Sequence, residues 1–437
     1  MYVSFDDTDS NKGLCTTYLA TEIIKNTDLD LIGYPRLVRL NPAVPWKTRG
    51  NGSLSLKFGK GSGTKTKIGE IQGKEIFCYS SSKKITIDKS ELMESILPVV
   101  EKNRKPDSDS GVVISEKKPS PSFYWKGVRS IVEKEEILNE LNRINAVFHE
   151  FGNGRGIIGS ACGMAWRPQD KTYEIIAYRS KEKWGTDRIF DKESVGRMDK
   201  IFSSTFNNWD ERTGNPSIFP GTPCPVLYGI RGDSVEDLPK ASNAVNSEHP
   251  DRKLIFLTNQ GTDNHIIRNF ENIPLKSYYL EGTVDSVKRI PGGHLIFVLK
   301  TSRGNIDCTV YEPAKTFRSA ISWLIPGDCV GVMGELRESP RTLNVEKLKV
   351  ISLIKEIKKI SNPVCDSCGK TMESVGKNKG YRCRDCKTTS SEAIFEEKMR
   401  WILPGWYEPP SSSRRHLSKP LKRMNEEQPL DFVNSRI

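Results

Sequence analysis

Long apolar runs are absent from this sequence, and their absence excludes membrane-spanning helices. No stretch reaches the roughly 18 apolar residues that such a helix needs. The beginning of the chain also lacks the basic and then apolar pattern of a secretion signal, because Asp6, Asp7 and Asp9 interrupt it. Ten cysteines without such a signal are typical of reduced thiols, some of which bind metal. We therefore expect a cytoplasmic protein that makes no contact with a membrane.

The P-loop pattern GxxxxGK[ST] is also absent, so any bound ATP must be held by another kind of loop. The related pattern GxGxxG does occur, beginning with Gly154, Arg155 and Gly156. A dinucleotide-binding fold needs a full helix after this turn, and Arg167 and Pro168 end the helical pattern too early. The backbone amides of the same loop can still contact phosphate without that fold.

What the chain does contain is positive charge: 67 Lys and Arg residues against 55 Asp and Glu, a formal net charge of +12. This excess favours an acidic partner, with nucleic acid ahead of a membrane surface. The chain has 437 residues, which is long for one hydrophobic core. We therefore expect roughly two to four domains. No internal repeat is evident.

The chain opens with a strand-like run, an acidic cluster and a helical pattern. Residues 2–5 predict a short strand, and residues 14–25 have the apolar spacing of a helix. Asp6, Asp7 and Asp9 lie in the turn between them. Clustered carboxylates repel one another and are commonly held around a cation such as Mg²⁺. An Asx-type turn that caps the helix is the alternative, and both interpretations stay open.

Three later polar clusters lie at predicted turns beside strands. They are residues 47–52, 205–208 and 258–263. Functional groups are commonly presented at such turns, although ordinary turn chemistry favours the same residue types. Together with the acidic turn and the glycine loop, several of these clusters are expected to meet in one pocket.

The remaining pattern outlines the domains. Residues 101–122 are polar and rich in Pro and Ser, which predicts a mobile connection or an exposed loop. A helix is predicted across about 127–148 and a strand over 172–179. Residues 277–355 predict three strands, a helix and two strands, which is the order of an oligonucleotide-binding OB-fold. Another small β-barrel is the alternative.

The most specific motif consists of two CxxC pairs separated by fourteen residues, Cys365 with Cys368 and Cys383 with Cys386. Each pair turns tightly enough to direct both thiolates at one ion, and four thiolates suit a closed, structural zinc site. A redox dithiol would instead need a single CxxC beside a βαβ unit.

Basic and aromatic residues are mixed from Trp401 to Arg423. Guanidinium and indole groups both stack on unpaired bases, so the sequence favours an RNA-contacting segment over a disordered tail. The candidate RNA-binding residues are Arg414, Arg415, His416, Lys419 and Arg423.

Taken in chain order, these motifs resemble those of the archaeal 2-agmatinylcytidine synthetases, the TiaS family. The resemblance covers nearly the whole chain. It rests on FDDTDSNKGLCTTYLA, LVRLNPAVPWKTRGNG, GRGIIGSA, YEIIAYR, TFNN, PCPVLYGIRG, TNQGTD and RRHLSKPLKR.

The resemblance implies a multidomain α+β protein with a kinase-like catalytic domain, a ferredoxin-like α/β domain, a β-barrel OB-fold and a zinc ribbon. The first two domains can interleave along the chain. We accordingly divide the chain into residues 1–125, 126–275, 276–356 and 357–395, followed by a basic segment and tail over 396–437.

The reaction that this family implies joins agmatine to C2 of the wobble cytidine of the isoleucine tRNA with anticodon CAU. ATP is cleaved to AMP and phosphate, and the modified tRNA decodes AUA as isoleucine. The C2 oxygen of cytosine is a poor leaving group, and its phosphorylation would allow the agmatine amine to displace it.

The resemblance also implies roles for individual residues. Asp6, Asp7 and Asp9 would hold Mg²⁺ against the phosphates of ATP, and Thr16 would accept a phosphoryl group. Lys47 and Arg49 are candidates for the cations that stabilise the transferred phosphoryl. Candidate contacts to ATP or phosphate are Gly50, Asn51, Gly52, Gly154, Arg155, Gly156, Asn207 and Asn208, and candidate agmatine ligands are Asp210 and Asp263.

Two other functions fit part of the pattern. A non-catalytic RNA-binding protein would explain the OB-fold and zinc ribbon but leaves the acidic turn without a role. A phosphotransferase acting on a small substrate would explain the acidic turn, and it predicts ATP turnover that does not depend on residues 277–437.

Overall fold

The computed structural model of the chain describes residues 1–10, 13–48, 50–211 and 213–429. The first elements are β1 (Tyr2–Asp6), α1 (Thr16–Lys25), β2 (Asp30–Ile32), β3 (Arg36–Arg39), β4 (Gly52–Ile71), β5 (Lys74–Lys83), α2 (Lys89–Asn103), β6 (Gly111–Ser115), α3 (Pro121–Arg129), α4 (Lys134–Arg143) and β7 (Val147–Glu150). They are followed by α5 (Gly156–Ala165), β8 (Thr172–Tyr178), α6 (Lys192–Ile201), β9 (Thr205–Phe206), β10 (Trp209–Asp210), β11 (Asn215–Pro216), β12 (Val226–Gly232), α7 (Asp237–Ala244) and β13 (Arg252–Thr258).

Most of these strands form one large mixed sheet, in the order β7-β6-β1-β4-β3-β13-β8-β12-β9. β1 lies between β4 and β6 and is antiparallel to both. β13 pairs with β3 in parallel and with β8 in antiparallel fashion, so strands from the two predicted N-terminal domains share a sheet. One core includes α1 and α2, as at Tyr18 and Ile96, and another includes α3, α4 and α5, as at Val128 and Ile157.

The prediction of a mobile connection or exposed loop over residues 101–122 is wrong. This segment contains the end of α2 and the whole of β6, and every residue of β6 is buried. β6 pairs with β1 along its full length. A strand that is buried on both faces lacks the alternation of apolar and polar residues, and this short run was hidden among polar neighbours.

The single helix predicted across about 127–148 is also wrong in extent. The structure has α3 and α4, separated by residues 130–133, and β7 begins at Val147. Ser130 is extended, with φ −149° and ψ 180°, and ends α3. Val128, Val132 and Ile137 pack in the same core, which explains why the apolar pattern continues across the break.

The next elements confirm the predicted OB-fold order. A two-residue strand, β14 (Ile266–Ile267), comes first, and the predicted order follows it: β15 (Lys276–Arg289), β16 (Leu295–Thr301), β17 (Gly304–Val310), α8 (Thr316–Ile321), β18 (Cys329–Leu336) and β19 (Leu343–Ser352). β15 pairs with both β16 and β18, and β17 pairs with β19, which closes the barrel around its own core. In the described part of the chain, no helix is long and apolar enough to cross a membrane.

The cysteine pairs lie in a small β domain after the barrel. Its strands, together with the last elements, are β20 (Ile357–Ser361), β21 (Glu373–Ser374), β22 (Tyr381–Arg382), β23 (Thr389–Ser390), β24 (Ile394–Glu397), β25 (Gly405–Tyr407) and α9 (Leu421–Met424). β20 pairs with β24, so the chain enters and leaves this domain through adjacent strands. β25 then returns to the barrel and pairs with β19.

Candidate active site

A pocket of about 700 Å³ opens at the end of β1. It is lined by the acidic turn, the beginning of α1, the loop before β4, the beginning of α5 and a loop before β12. The predicted residues that line it are Asp6, Asp7, Asp9, Thr16, Lys47, Gly50, Asn51, Gly52, Arg155, Gly156 and His416. Clusters that are far apart in the sequence therefore meet at one place.

Hydrogen bonds between side chains and the backbone fix the acidic turn. Asp6 is the last residue of β1, and its Oδ1 accepts a hydrogen bond of 2.7 Å from the amide of Asp7. Asp7 has a φ of 55°, in the left-handed region. Its carbonyl accepts a hydrogen bond from the hydroxyl of Ser110, the residue just before β6. The buried strand β6 thus holds the turn in place.

The glycine loop packs directly against this turn. The amide of Gly156 donates to the carbonyl of Asp109, and the amide of Asn153 donates to the Asp109 carboxylate. A side chain at Gly159 would overlap the carboxylate of Asp6. The glycines therefore allow α5 to approach the end of β1. The strand that follows α5, β8, lies between β13 and β12 and not beside β7, so the crossover of a dinucleotide-binding unit is not formed.

Burial and mutual repulsion raise the pKa values of two carboxyls in the turn. Burial, and then the charge of Asp7, raise the pKa of Asp6 to about 8. Burial, and then the charges of Asp109 and Asp9, raise the pKa of Asp7 to about 6. Cys15, the residue that precedes α1, makes no side-chain hydrogen bond that caps the helix. Repulsion of this kind is relieved by a bound cation.

The acidic turn fits an Mg²⁺ ion that is held together with a substrate. The three carboxylates do not bring their oxygens within 4.8 Å of one another, so they do not form a closed cage. Mg²⁺ is commonly bound by one or two carboxylates, with phosphate oxygens and waters completing its octahedron. The looser arrangement of Asp6, Asp7 and Asp9 suits that mode of binding.

Cationic groups line the same pocket. Arg39, at the end of β3, and Arg231, in β12, both reach it, and the Nε of Arg231 lies 3.1 Å from Oε1 of the buried Glu174. Burial lowers the pKa of Arg39, and the Nε of Arg39 has no hydrogen-bond partner among the described residues. The guanidinium of Arg155 stacks 4.1 Å from the ring centre of Trp46, which is 48% exposed.

The sequence prediction missed Arg39, Glu174 and Arg231, although each lies inside a quoted motif. Their local sequence carries no sign of the pocket, because the three residues come from β3, β8 and β12. Asp109 was missed because its segment was interpreted as an exposed loop. Pairing of the strands is what brings these side chains to one edge of the sheet.

Thr16, at the beginning of α1, and Lys47, in the loop before β4, both line the pocket. Thr16 is the first residue of α1 and is buried at the wall of the pocket. Lys47 is exposed, and desolvation and the charge of Arg415 lower its pKa. Arg49 lies outside the described residues. These assignments stay predictions.

Five of the residues predicted to bind ATP, phosphate or agmatine do not line the pocket: Gly154, Asn207, Asn208, Asp210 and Asp263. Asn207 accepts a hydrogen bond from Arg414, and the carboxylate of Asp263 accepts hydrogen bonds from Lys347 and from the amide of Lys419. Their roles in binding ATP or agmatine remain sequence predictions, which this geometry does not support.

The basic residues near the end of the chain make ion pairs within the protein. Except for Arg414 with Glu408, which lies within the segment, these pairs tie the segment after the zinc ribbon to loops of the large sheet and to the OB-fold. They are Arg414 with Glu408, Arg415 with Glu335 and Glu346, Lys419 with Asp170, and Arg423 with Asp170 and Asp233. Their binding to tRNA remains a prediction, as does that of His416.

The four cysteines fit a structural zinc ion. Within the described ranges, they are the one group of three or more His, Cys, Asp or Glu residues whose ligand atoms all lie within 4.8 Å of one another. The Sγ atoms of Cys368 and Cys383 are 3.6 Å apart. Tetrahedral zinc with bonds of about 2.3 Å to sulfur places its ligands about 3.8 Å apart. All four positions are filled by protein, so this centre is not catalytic.

Family models match the chain over most of its length. They are the TiaS TCKD domain at residues 2–153, the TiaS FLD domain at 154–265, an OB-fold nucleic acid binding domain at 278–351 and the TiaS C-terminal zinc ribbon domain at 362–402.

Two named relatives are similar over nearly the whole chain. The chain is 38% identical to the isoleucine-tRNA 2-agmatinylcytidine synthetase TiaS of Archaeoglobus fulgidus, with 98% of each chain covered. It is 37% identical to the protein of the same name from Methanocaldococcus jannaschii, with 97% of this chain and 98% of the relative covered.

Solved structures agree with this similarity. The structure of a TiaS complex with its isoleucine tRNA and ATP matches with a TM-score of 0.85 at 37% identity, over 98% of each chain. That of a TiaS complex with the same tRNA, AMPCPP and agmatine matches with a TM-score of 0.82 at 35% identity, again over 98% of each chain.

Proposed function

Because the chain belongs to the TiaS family of isoleucine-tRNA 2-agmatinylcytidine synthetases, we propose that it ligates agmatine to C2 of the wobble cytidine of the isoleucine tRNA with anticodon CAU. ATP is consumed to AMP and phosphate, and the product reads AUA as isoleucine. One observation supports assigning this reaction to particular residues. The acidic turn, Thr16 and the cations Arg39 and Arg231 all line the same pocket.

The chemistry requires that the C2 oxygen of cytosine become a leaving group. Phosphorylation of that oxygen achieves this, and the primary amine of agmatine then forms the C–N bond while the oxygen departs with the phosphate. Arg39, Arg231 and Arg155 supply positive charge where negative charge develops on the transferred phosphoryl. Thr16, at the wall of the same pocket, is our candidate for a phosphoryl acceptor within the protein.

Asp6, Asp7 and Asp9 would hold Mg²⁺ together with the phosphate oxygens of ATP. Such an ion neutralises charge on the phosphates during transfer. The pocket lining contains both these carboxylates and the cationic residues, so the pocket can orient a nucleotide by charge. The same carboxylates attract the dication agmatine, and Glu133 and Glu174 add two more carboxylates to the lining of the pocket.

The target base must leave its stack in the anticodon loop to reach this pocket. Trp46, half-exposed at the pocket beside Arg155, offers an aromatic surface for an extruded base. The OB-fold and the zinc ribbon would hold other parts of the tRNA. Because tRNA and ATP are both cytoplasmic, we place the reaction in the cytoplasm.

The test is nucleoside mass spectrometry on a transcript of the isoleucine tRNA with anticodon CAU, incubated with the protein, ATP, Mg²⁺ and agmatine. We expect a cytidine that is heavier by one agmatine less one water. Asp7→Asn should lower the rate by roughly 10²–10³-fold, because it removes charge at the phosphoryl-transfer site. Asp28→Asn, which changes a carboxylate outside the pocket, is the matched control and should keep the wild-type rate.

Two results would contradict the proposal. An unmodified tRNA that binds tightly, with equal affinity for the protein and for its Asp7→Asn variant, would identify a non-catalytic RNA-binding protein. ATP turnover that leaves the tRNA unchanged and survives removal of residues 277–437 would identify a phosphotransferase for a small substrate.

A further inference from the structure

The segment after the zinc ribbon returns to the active site. Strand β25 pairs with β19 of the OB-fold, and the chain then reaches the turn that follows β13. There the amide of Gly261 donates to the carbonyl of His416, and the amides of Thr262 and Asp263 donate to the carbonyl of Leu417. Three backbone hydrogen bonds therefore fix the position of His416 at the wall of the pocket.

The imidazole of His416 packs beside a guanidinium and a tight turn. A Cβ atom at Gly50 would lie 2.8 Å from Cδ2 of His416 and 3.0 Å from Nη1 of Arg39. The ring and the guanidinium therefore lie next to each other over the Gly50 turn, and both line the pocket. A ligand in the pocket can contact the two groups together.

The surroundings of this ring are positive. The charge of Arg39, together with burial, holds the pKa of His416 well below its ordinary value, and the charge of Arg231 acts in the same direction. The ring is therefore neutral and offers one N–H donor and one acceptor nitrogen. Glu174 lies 3.1 Å from Arg231, and its charge also acts on Arg39, so two guanidinium groups share one carboxylate and the corner keeps positive charge for a ligand in the pocket.

Arg39 has an unsatisfied donor. Its Nη1 donates to the carbonyl of Gly50 at 3.2 Å, while its buried Nε has no hydrogen-bond partner in the described part of the chain. Buried donors in folded proteins nearly always have partners, and an exception calls for a ligand or ion. A neutral N–H donor beside such a guanidinium is suited to an anionic oxygen, because charge-assisted hydrogen bonds are the strong ones.

We propose that His416, Arg39 and Arg231 form an anion-binding corner of the active site, in which His416 donates a hydrogen bond to a phosphoryl oxygen. The inference rests on the proposed function and adds a catalytic residue to it. The phosphoryl group belongs either to ATP or to the tRNA backbone beside the target cytidine. In both cases His416 contacts substrate in the pocket, and the second case is the tRNA contact that the sequence analysis predicts for this residue.

Two substitutions separate the hydrogen bond from the volume of the ring. His416→Phe keeps a ring and removes the donor, whereas His416→Asn keeps a neutral N–H donor. His249→Phe changes an exposed histidine outside the pocket and is the matched control. The dissociation constants of ATP without tRNA, and of the tRNA without ATP, are measured for each full-length variant together with its melting temperature and its rate of tRNA modification.

We expect His416→Phe to raise one of the two dissociation constants by roughly 10- to 100-fold, the range for losing a hydrogen bond to a charged group. His416→Asn and His249→Phe should stay within about threefold of the wild type, by the same reasoning. A change in the ATP constant identifies ATP as the source of the phosphoryl oxygen, and a change in the tRNA constant identifies the RNA backbone.

The proposal is overturned if both constants stay at wild-type values in His416→Phe. It is equally overturned if the Phe and Asn variants lose binding to the same extent and melt earlier, because His416 would then serve packing alone. A wild-type protein that leaves the tRNA unmodified, while His416→Phe still weakens ATP binding, would defeat the proposed function and support the anion-binding corner.

Discussion

Single residues at the acidic turn show how closely this site is packed. The carboxylate of Asp6 lies against α5 at Gly159, where a Cβ atom would overlap its Oδ2. The neighbouring Gly156 would place a side chain into the carbonyls of Asp6 and Asp109. Small residues at these points are therefore required by the approach of the helix to the strand end, and they keep the carboxylate directed into the pocket.

Substitution of Gly159 by Ala tests this packing. Alanine normally stabilises a helix relative to glycine, but here we expect Gly159→Ala to lower the free energy of unfolding by about 1–3 kcal/mol through overpacking. Denaturant unfolding measures the loss of stability. The modification assay measures activity, which should fall because the added methyl group displaces the carboxylate of Asp6. Gly221→Ala, where a Cβ would meet open space, is the control for stability. A gain in stability in Gly159→Ala would contradict the close approach.

A second residue-scale feature is the ion pair between Arg179 and Glu248. Their side chains are 1% and 3% exposed, and Nε of Arg179 lies 2.5 Å from Oε1 of Glu248. Glu248→Gln should lower the free energy of unfolding by about 3–5 kcal/mol, because it leaves a buried guanidinium without its counter-charge. Glu75→Gln breaks the exposed pair with Lys67 and should have no measurable effect. Equal unfolding curves for the two variants would refute this expectation.

At the scale of elements, the OB-fold lies along the chain between the large sheet, which holds the acidic turn, and the zinc ribbon. Its cysteines hold together strands of only two residues each, β21, β22 and β23, which bury little apolar surface. Metal binding therefore supplies the stability that a core of this size cannot. No described residue of the ribbon lines the pocket, so we expect ATP binding not to depend on it.

Loss of zinc should consequently affect tRNA binding and spare ATP binding. Cys383→Ser is expected to release the metal, seen as loss of zinc in elemental analysis, and to weaken tRNA binding while the dissociation constant of ATP stays unchanged. Cys329→Ser, in β18 of the OB-fold, is a matched cysteine control that should retain zinc. Full zinc content in Cys383→Ser, or a parallel loss of ATP binding, would contradict the separation.

At the scale of the whole molecule, one buried carboxylate connects three parts of the chain. Glu346, in β19 of the OB-fold, accepts a hydrogen bond of 2.9 Å from His265, which follows the large sheet. Its other oxygen lies 3.1 Å from Nε of Arg415 in the C-terminal segment. Burial opposes ionisation, but the charges of Arg415 and His265 outweigh it and lower the pKa of Glu346 to about 2.

This pKa has a predictable effect on stability. A carboxyl whose pKa is lower in the folded state stabilises the fold above its ordinary pKa, and that contribution is lost as the pH falls toward the folded value. We expect the melting temperature to fall between about pH 4.5 and pH 2, in part through protonation of Glu346. Glu346→Gln should be less stable at pH 7 and show a flatter decline over this range in calorimetry. An unchanged decline would exclude Glu346 as a contributor.

Some features of this protein were determined by local sequence alone. The strand, acidic turn and helix at Tyr2 to Lys25, the order of OB-fold elements and the zinc ligands all follow from short-range spacing, because turn geometry and apolar periodicity act between near neighbours. The family resemblance added the reaction. The sequence pattern did not predict the buried strand β6, because a strand that is covered on both faces has no alternation of apolar and polar residues.

Only the tertiary structure decided which residues meet. Arg39, Glu174 and Arg231 lie on three separate strands, and His416 returns from beyond the zinc ribbon, yet all four line one pocket. The same fold directs Arg415 and Arg423 to acidic partners within the protein. Strand pairing over hundreds of residues sets these neighbours, and the free energy of each contact depends on burial and charges that the local sequence does not contain.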